Sequence, residues 1–311
     1  MTEQLLLNAQ SLSRFYGDQQ VVNDVSFQLY KGEVLGFLGS NGAGKSTTMK
    51  MLSGNLAPTQ GEITINGFDL LSEPKQAKAH IGYLPEQPPL YKELTVKEFL
   101  LFCARLNQIS ANQIKSAVEI AIERCGLNSV TTRLIANLSK GYQQRVGIAQ
   151  AIIHTPAVVI LDEPTAGLDP IQIREIRHLI RDIANEHSVI LSTHILPEVQ
   201  TLCDRVQIIH QGQLILSDSV AGLSQQIQTS SLLIELASPP TTHILSQIDG
   251  VTSLESLSNT LFRLHYSPDL DPIDELVRQA TSQSWQLKQL TPEQHSLEDV
   301  FMKIIQEEQS N

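Results

Sequence analysis

Cysteine is scarce in this chain: Cys103, Cys125 and Cys203 are its only three in 311 residues, far apart and without a Cys-x-x-Cys spacing. That excludes a disulfide framework and a thiolate metal site, and it fits buried thiols in a reducing compartment. Positive charge is also in short supply. Lys and Arg total 22 against 33 acidic residues, a net charge of −11, which argues against a broad electrostatic grip on DNA or RNA. No apolar run approaches the ~18 residues needed to cross a bilayer. The first residues, Met-Thr-Glu-Gln-Leu-Leu-Leu, lack the basic start and cleavage pattern of a secretory signal. The sequence thus predicts a soluble protein whose membrane role, if it has one, is indirect. Internal repeats and low-complexity tails are absent as well.

What is present begins at Gly39. Residues Gly39, Ser40, Asn41, Gly42, Ala43, Gly44, Lys45 and Ser46 fit G-x-x-x-x-G-K-[ST], the phosphate-cradling P-loop, and Thr47 follows directly. An apolar run, Glu33 to Leu38, precedes the motif as a short buried strand, and Lys45 to Leu52 reads as a helix. Glycines allow successive N–H groups to turn inward at an anion, and the helix N-terminus adds partial positive charge. Lys45 would reach the β- and γ-phosphates of a nucleoside triphosphate, and Ser46 would hold Mg²⁺ through its hydroxyl.

Further along, residues 5–13 and 21–30 read as strands turning at Gly17-Asp18, and Gly61 to Gly67 as an alternating strand. Residues 95–126 carry two helical patterns, and residues 139–154 a third. Pro170 to Asn185 is an amphipathic helix that proline starts well. The apolar runs Ala157–Leu161 and Ser188–Ser192 are further buried strands. Strands alternating with helices imply an α/β fold with a parallel core sheet, the early antiparallel strands forming a separate layer. A polar stretch at 224–231 reads as a linker. Beyond it a strand-helix-strand-strand-helix-strand order from Leu232 to Leu290 suggests a small ferredoxin-like α+β unit.

Two carboxylates, Asp162 and Glu163, end the apolar strand Val158–Leu161. Acids at the C-terminal edge of a parallel strand sit where α/β folds place ligands. Asp162 would orient Mg²⁺, largely through water, and Glu163 would position or deprotonate the attacking water. The plainer alternative is an Asp-Glu pair capping the next helix. His194 follows the strand ending at Ser192. It is either a structural hydrogen-bonder or, at that sheet edge, a neutral imidazole donating to the γ-phosphate.

Together these residues resemble the ATP-binding cassette (ABC) ATPases. The deciding segment is Leu138-Ser-Lys-Gly-Tyr-Gln-Gln-Arg145, which is similar to the family signature Leu-Ser-Gly-Gly-Gln followed by x-Gln-Arg. Ser139 and the Gly141 backbone would bind phosphate oxygens at the head of the following helix, and a plain serine N-cap is the alternative. Tyr16 resembles the aromatic that stacks on adenine, or else is a core tyrosine. Gly167-Leu-Asp169 resembles the D-loop, and His194 the switch histidine. The resemblance covers residues 5–220 and departs from the pattern at Lys140, Tyr142 and Glu86. Glu86 stands where a glutamine usually lines the magnesium site, with Gln87 one residue later, so either could face the nucleotide.

The resemblance implies an ATPase, with ATP and Mg²⁺ as its cofactors, in a nucleotide-binding domain of residues 1–222. That domain would hold a helical subdomain at about 88–155, and an accessory α+β domain would follow at 230–311. It implies, too, a second ABC ATPase subunit, most simply another copy, pairing head to tail so that each signature meets the other chain's P-loop. One cassette without a membrane span resembles the separately encoded subunits that drive integral membrane permeases from the cytoplasmic face. The Tyr83–Thr95 region and the helices after it would receive the permease. The segment Ser296 to Lys303 resembles the tail of ABC-2 type exporter ATPases. The alternative is a soluble ABC ATPase acting on ribosomes or DNA; no nucleic-acid partner is expected.

Overall fold

In the computed structural model, residues 4–226, 230–267, 270 and 272–293 are described. The tail motif at Ser296–Lys303 lies outside them. The chain divides into two compact units, Met1–Val220 and Ala221–Asn311.

The first unit opens with two long strands, β1 (Leu5–Tyr16) and β2 (Gln19–Tyr30), each extending past its sequence prediction toward the turn at Gly17. They pair antiparallel and, with β4 (Gln60–Ile65) and β5 (Phe68–Asp69), form a four-stranded sheet in the order β2-β1-β4-β5. The second sheet has six strands. Its members are β3 (Val34–Leu38), β6 (Ile81–Leu84), β7 (Val158–Asp162), β8 (Ser188–Thr193), β9 (Arg205–His210) and β10 (Gln213–Ser219). Their order is β10-β9-β3-β8-β7-β6, parallel except for the β9–β10 hairpin. Every residue of β3, β7 and β8 is buried. Continuous apolar runs are what a parallel strand covered on both faces requires, and each fully buried Val, Leu or Ile contributes about 1.5–3 kcal/mol.

The helices are α1 (Lys45–Leu52), α2 (Pro74–Lys78), α3 (Val96–Leu106), α4 (Ile114–Arg124), α5 (Lys140–Ile152), α6 (Pro170–Ala184), α7 (Leu196–Leu202) and α8 (Val220–Gln226). Local chemistry sets several starts. Thr95 and Glu98 close a reciprocal capping box ahead of α3. Asp169 accepts from the N–H groups of Ile171 and Gln172, and Pro170 supplies the first turn of α6. Helix α5 lies close on β6: a Cβ on Gly82 would come 2.1 Å from the Ala151 carbonyl oxygen, so only glycine fits there.

The second unit runs β11 (Ser230–Leu236), α9 (Thr242–Ser246), β12 (Val251–Ser256), β13 (Leu261–Tyr266), α10 (Ile273–Ser282) and β14 (Leu287–Glu293). Its antiparallel sheet has the order β12-β13-β11-β14, a split βαβ arrangement. Leu232, Ile234, Phe262, Leu264, Leu276 and Trp285 form its core. The stretch read as a linker is partly ordered structure: residues 224–226 close α8 and Ser230 begins β11. An α/β unit with a parallel sheet, an antiparallel layer and helices, followed by a small α+β unit, is the fold class the sequence implies.

Candidate functional site

Strand order decides which loops meet. β8 lies between β3 and β7, with Leu38 level with Thr193 and Asp162 level with Ser192. The P-loop after β3, the carboxylates ending β7 and His194 after β8 therefore open on one sheet edge. The P-loop, Glu163 and His194 share a cleft of about 430 Å³, lined by Val21, Asn41, Gly42, Gly44, Lys45, Ser46, Thr47, Glu86, Glu163, Ala166 and His194, and Asp162 meets it through its bond with Ser46. A larger hollow of about 580 Å³, lined in part by Gln113, Arg124 and His154, holds none of the motif residues. Size alone does not locate the chemistry.

The P-loop needs its last glycine twice over. Gly44 has φ +103°, and a Cβ there would lie 2.8 Å from the Val21 carbonyl oxygen. Lys45 is almost wholly buried, its Nζ donating to the carbonyls of Gly39 (2.8 Å) and Ser40 (3.1 Å) and lying 3.3 Å from Glu163 Oε1. Ser46 Oγ donates to Asp162 Oδ1 at 3.2 Å, and Ser192 Oγ donates to the same oxygen at 2.5 Å.

Glu163 turns the chain sharply, with φ +48°, a left-handed conformation that costs a non-glycine residue about 1–2 kcal/mol. Its N–H donates to the Ser192 carbonyl and hydroxyl, both at 3.1 Å, and these bonds hold the turn. Glu163 Oε2 in turn lies 2.8 Å from His194 Nδ1. An ionised carboxylate only accepts, so Nδ1 carries the proton. A neutral ring in this tautomer presents Nε2 as an acceptor. Donation to Glu163 and to a phosphate at once would require both ring nitrogens to carry protons.

Burial holds the Asp162 carboxyl above the usual carboxylate range, opposed by the hydrogen bonds from Ser192 and Ser46 and reinforced by the charges of Glu163 and Glu86. The Asp162 carboxylate and the Ser46 hydroxyl bonded to it are hard oxygen donors of the kind that suit a magnesium ion sharing phosphate and water ligands. Glu86 lines this cleft, whereas Gln87 is exposed and does not. Tyr16 is half exposed beneath the Arg14 guanidinium, 5.0 Å from its ring centroid, and does not line the cleft.

Ser139 and Gly141 are not brought to this cleft. Ser139 caps α5, its Oγ accepting from Tyr142 N at 3.4 Å. With Gly141, Tyr142, Arg145, Asp169 and Gln172 it lines a second cleft of about 610 Å³. Lys140 reaches back to Gly167, its Nζ filling the space where a Cβ would stand. Sequence reasoning missed Ser192, which braces the Asp162 carboxylate and the Glu163 backbone, and Glu198, which lies four residues beyond His194 and is fully buried. A charged residue amid the apolar positions Leu196, Val199 and Leu202 was the available signal.

Residues 22–166 match the ABC transporter family, a span from within β2, through the P-loop, to just past Glu163. The bacitracin transport ATP-binding protein BcrA of Bacillus licheniformis is 41% identical over 212 residues, covering 68% of each chain. Nod factor export ATP-binding protein I of Rhizobium johnstonii is 34% identical over 299 residues, 94% of this chain and 92% of its own. Among solved structures, an ATP-binding subunit of an ABC transporter superposes with a TM-score of 0.64 at 34% identity, covering 71% of this chain and 92% of the other. Likeness of that depth and length shows the family: the chain belongs to the ATP-binding subunits of ABC transporters and is an ATPase.

Proposed function

We propose that this chain powers an ABC-2 type exporter, two copies clasping two ATP molecules and passing the resulting motion to separate membrane-spanning subunits. The observation that carries the pairing is the separation of the two clefts. Lys45, Ser46, Glu163 and His194 line one, with Asp162 hydrogen-bonded to Ser46, while Ser139 and Gly141 line another. A head-to-tail partner would bring its signature helix, with that helix's N-terminal N–H groups, to the γ-phosphate. Residues 1–222 would form the nucleotide-binding domain, the segment at about 88–155 its helical subdomain, and 230–311 an accessory domain. The relatives named for bacitracin transport and Nod factor export support the export reading. Among the described residues no helix is long and apolar enough to cross a membrane. The permease would therefore hold the protein at the cytoplasmic face.

The chemistry is set by the groups in place. The P-loop N–H groups and Lys45 would hold the phosphates, with Tyr16 against the adenine. Ser46 and Asp162, with Glu86 beside them, offer the oxygen donors for Mg²⁺, which when bound would offset charge on the phosphate oxygens. Glu163 would orient a water in line with the γ-phosphorus and take its proton as the bond to the β-phosphate oxygen breaks. His194 would hold Glu163 through Nδ1 and sense the γ-phosphate through Nε2. ATP then favours the closed pair, and loss of the γ-phosphate favours the open one.

Light scattering with ATP present tests the pairing. Glu163→Gln should double the particle mass and hold ATP, and Lys45→Ala and Ser139→Ala should remain monomeric. Turnover by Glu163→Gln at the native rate would refute the site. Recovery on detergent-solubilised membranes with a multi-span protein is the expected partner result, and recovery on ribosomes would refute the exporter role.

A further inference from the structure

Glu198, on α7, is fully buried, and both of its carboxylate oxygens are engaged. Thr165 Oγ1 donates to Oε1 at 2.7 Å, and Thr193 Oγ1 donates to Oε2 at 2.7 Å. Arg177 of α6 forms an ion pair with Oε1 at 3.4 Å. Thr193 Oγ1 also accepts from Ile195 N at 3.0 Å, so the hydroxyl straddles His194.

The placement of the two threonines matters. Thr165 lies two residues beyond Glu163, and Thr193 immediately precedes His194. One carboxylate therefore ties down the flanks of both members of the His194–Glu163 pair. Stability does not account for a charge here. Taking a carboxylate out of water is expensive, and a well-packed apolar side chain of similar volume is often neutral or better in such a place. Leu196, Val199 and Leu202 already fill that apolar role on the same helix.

We propose that Glu198 is a positioning residue for hydrolysis, fixing the distance and angle between Glu163 and His194 through Thr165 and Thr193. This rests on the reading that Glu163 and His194 act on ATP. Through Arg177 the same carboxylate touches α6, whose N-cap Asp169 and first residue Pro170 line the signature cleft. A shift of α6 would therefore reach the hydrolytic pair. Small misplacements of reacting groups are costly, on the order of 10²-fold in rate for about 1 Å.

The test compares steady-state ATPase kinetics and ATP affinity in full-length protein. Glu163→Gln is assayed first: retained turnover there refutes the underlying site, whereas its loss supports the catalytic pair that Glu198 is held to position. Glu198→Ala should then lower kcat about tenfold or more while ATP affinity stays within about twofold, and Glu198→Gln should recover part of the loss. In a His194→Ala background the added effect of Glu198→Ala should shrink to less than about twofold, because groups acting as a unit are not additive. A kcat within about twofold of native, or a full multiplicative loss in the His194→Ala background, overturns the proposal. Should Glu198→Ala fail to fold, Thr193→Val and Thr165→Val are read instead. Each should lower kcat about threefold or more, and native rates in both overturn the proposal.

Discussion

Lys45 and Glu163 are partners in a buried ion pair, Nζ to Oε1 at 3.3 Å. The lysine that a P-loop aims at phosphate is thus engaged by the carboxylate that would direct the water. An incoming triphosphate has to displace that carboxylate and bear its repulsion. Glu163→Gln removes both penalties. It should bind ATP roughly tenfold more tightly, about 1.4 kcal/mol, a fraction of the ~4 kcal/mol Coulomb attraction of such a pair. Turnover should fall by about 10² or more. Calorimetric titration reads the first effect and phosphate release the second; unchanged affinity would show that the ion pair does not oppose binding.

Gly82 carries no chemistry, yet its substitution should be costly. A methyl there would meet the Ala151 carbonyl at 2.1 Å, and a backbone atom cannot swing aside as a side-chain tip can. Gly82→Ala should force α5 off β6 and cost about 1–3 kcal/mol, lowering the thermal midpoint by several degrees. Since Ser139 caps α5, ATP-induced pairing should weaken in parallel. A native melting profile would contradict the packing.

His154 makes stability depend on pH. Burial pushes its proton affinity down, the bond to the Ile81 carbonyl partly offsets this, and the nearby His187 and His80 charges push it further down. The folded protein therefore takes up this proton less readily than the unfolded chain, whose histidine titrates near 6.5. Above that value the group has no effect on stability, and below it stability falls as the pH drops. Urea midpoints at pH 7.5 and 5.5 should differ in the native protein and differ less in His154→Gln. Equal slopes in the two proteins would remove His154 as the cause.

The three cysteines should be silent toward mild alkylating reagents. All are buried, and burial pushes the Cys103 and Cys125 thiols up to about 12, with Cys203 raised as well. The thiolate is the reactive form. Titration with a disulfide reagent at pH 8 should count no thiols in folded protein and three in guanidinium. Fast labelling of the native state would contradict the burial.

The legible parts of this chain were the contiguous ones. The P-loop from Gly39 to Ser46, the acid pair Asp162-Glu163 and the start of α6 at Pro170 are local patterns whose chemistry lies in neighbouring residues. The apolar runs of β3, β7 and β8 were readable because burial on both faces leaves no polar alternation. What escaped was set by pairing over distance. Nothing in Val189–Ser192 announces that β8 slides between β3 and β7, so the contact of His194 with Glu163 was not derivable. The β9–β10 hairpin also went unread, since β9 pairs the parallel strand β3 on one side and the antiparallel edge strand β10 on the other. Glu198 was hidden for the same reason, because its partners lie far apart in the chain, Thr165 in the loop after β7 and Thr193 at the end of β8.

The two clefts share no lining residue, and damage to one leaves the other whole. Under the proposed pairing, a chain crippled at Lys45 and a chain crippled at Ser139 are each inert alone but complementary when mixed. In the hybrid, one composite pocket inherits both defects and the other inherits neither. Blending the two dead preparations should restore turnover to a predictable fraction of native, a result no self-sufficient enzyme could give.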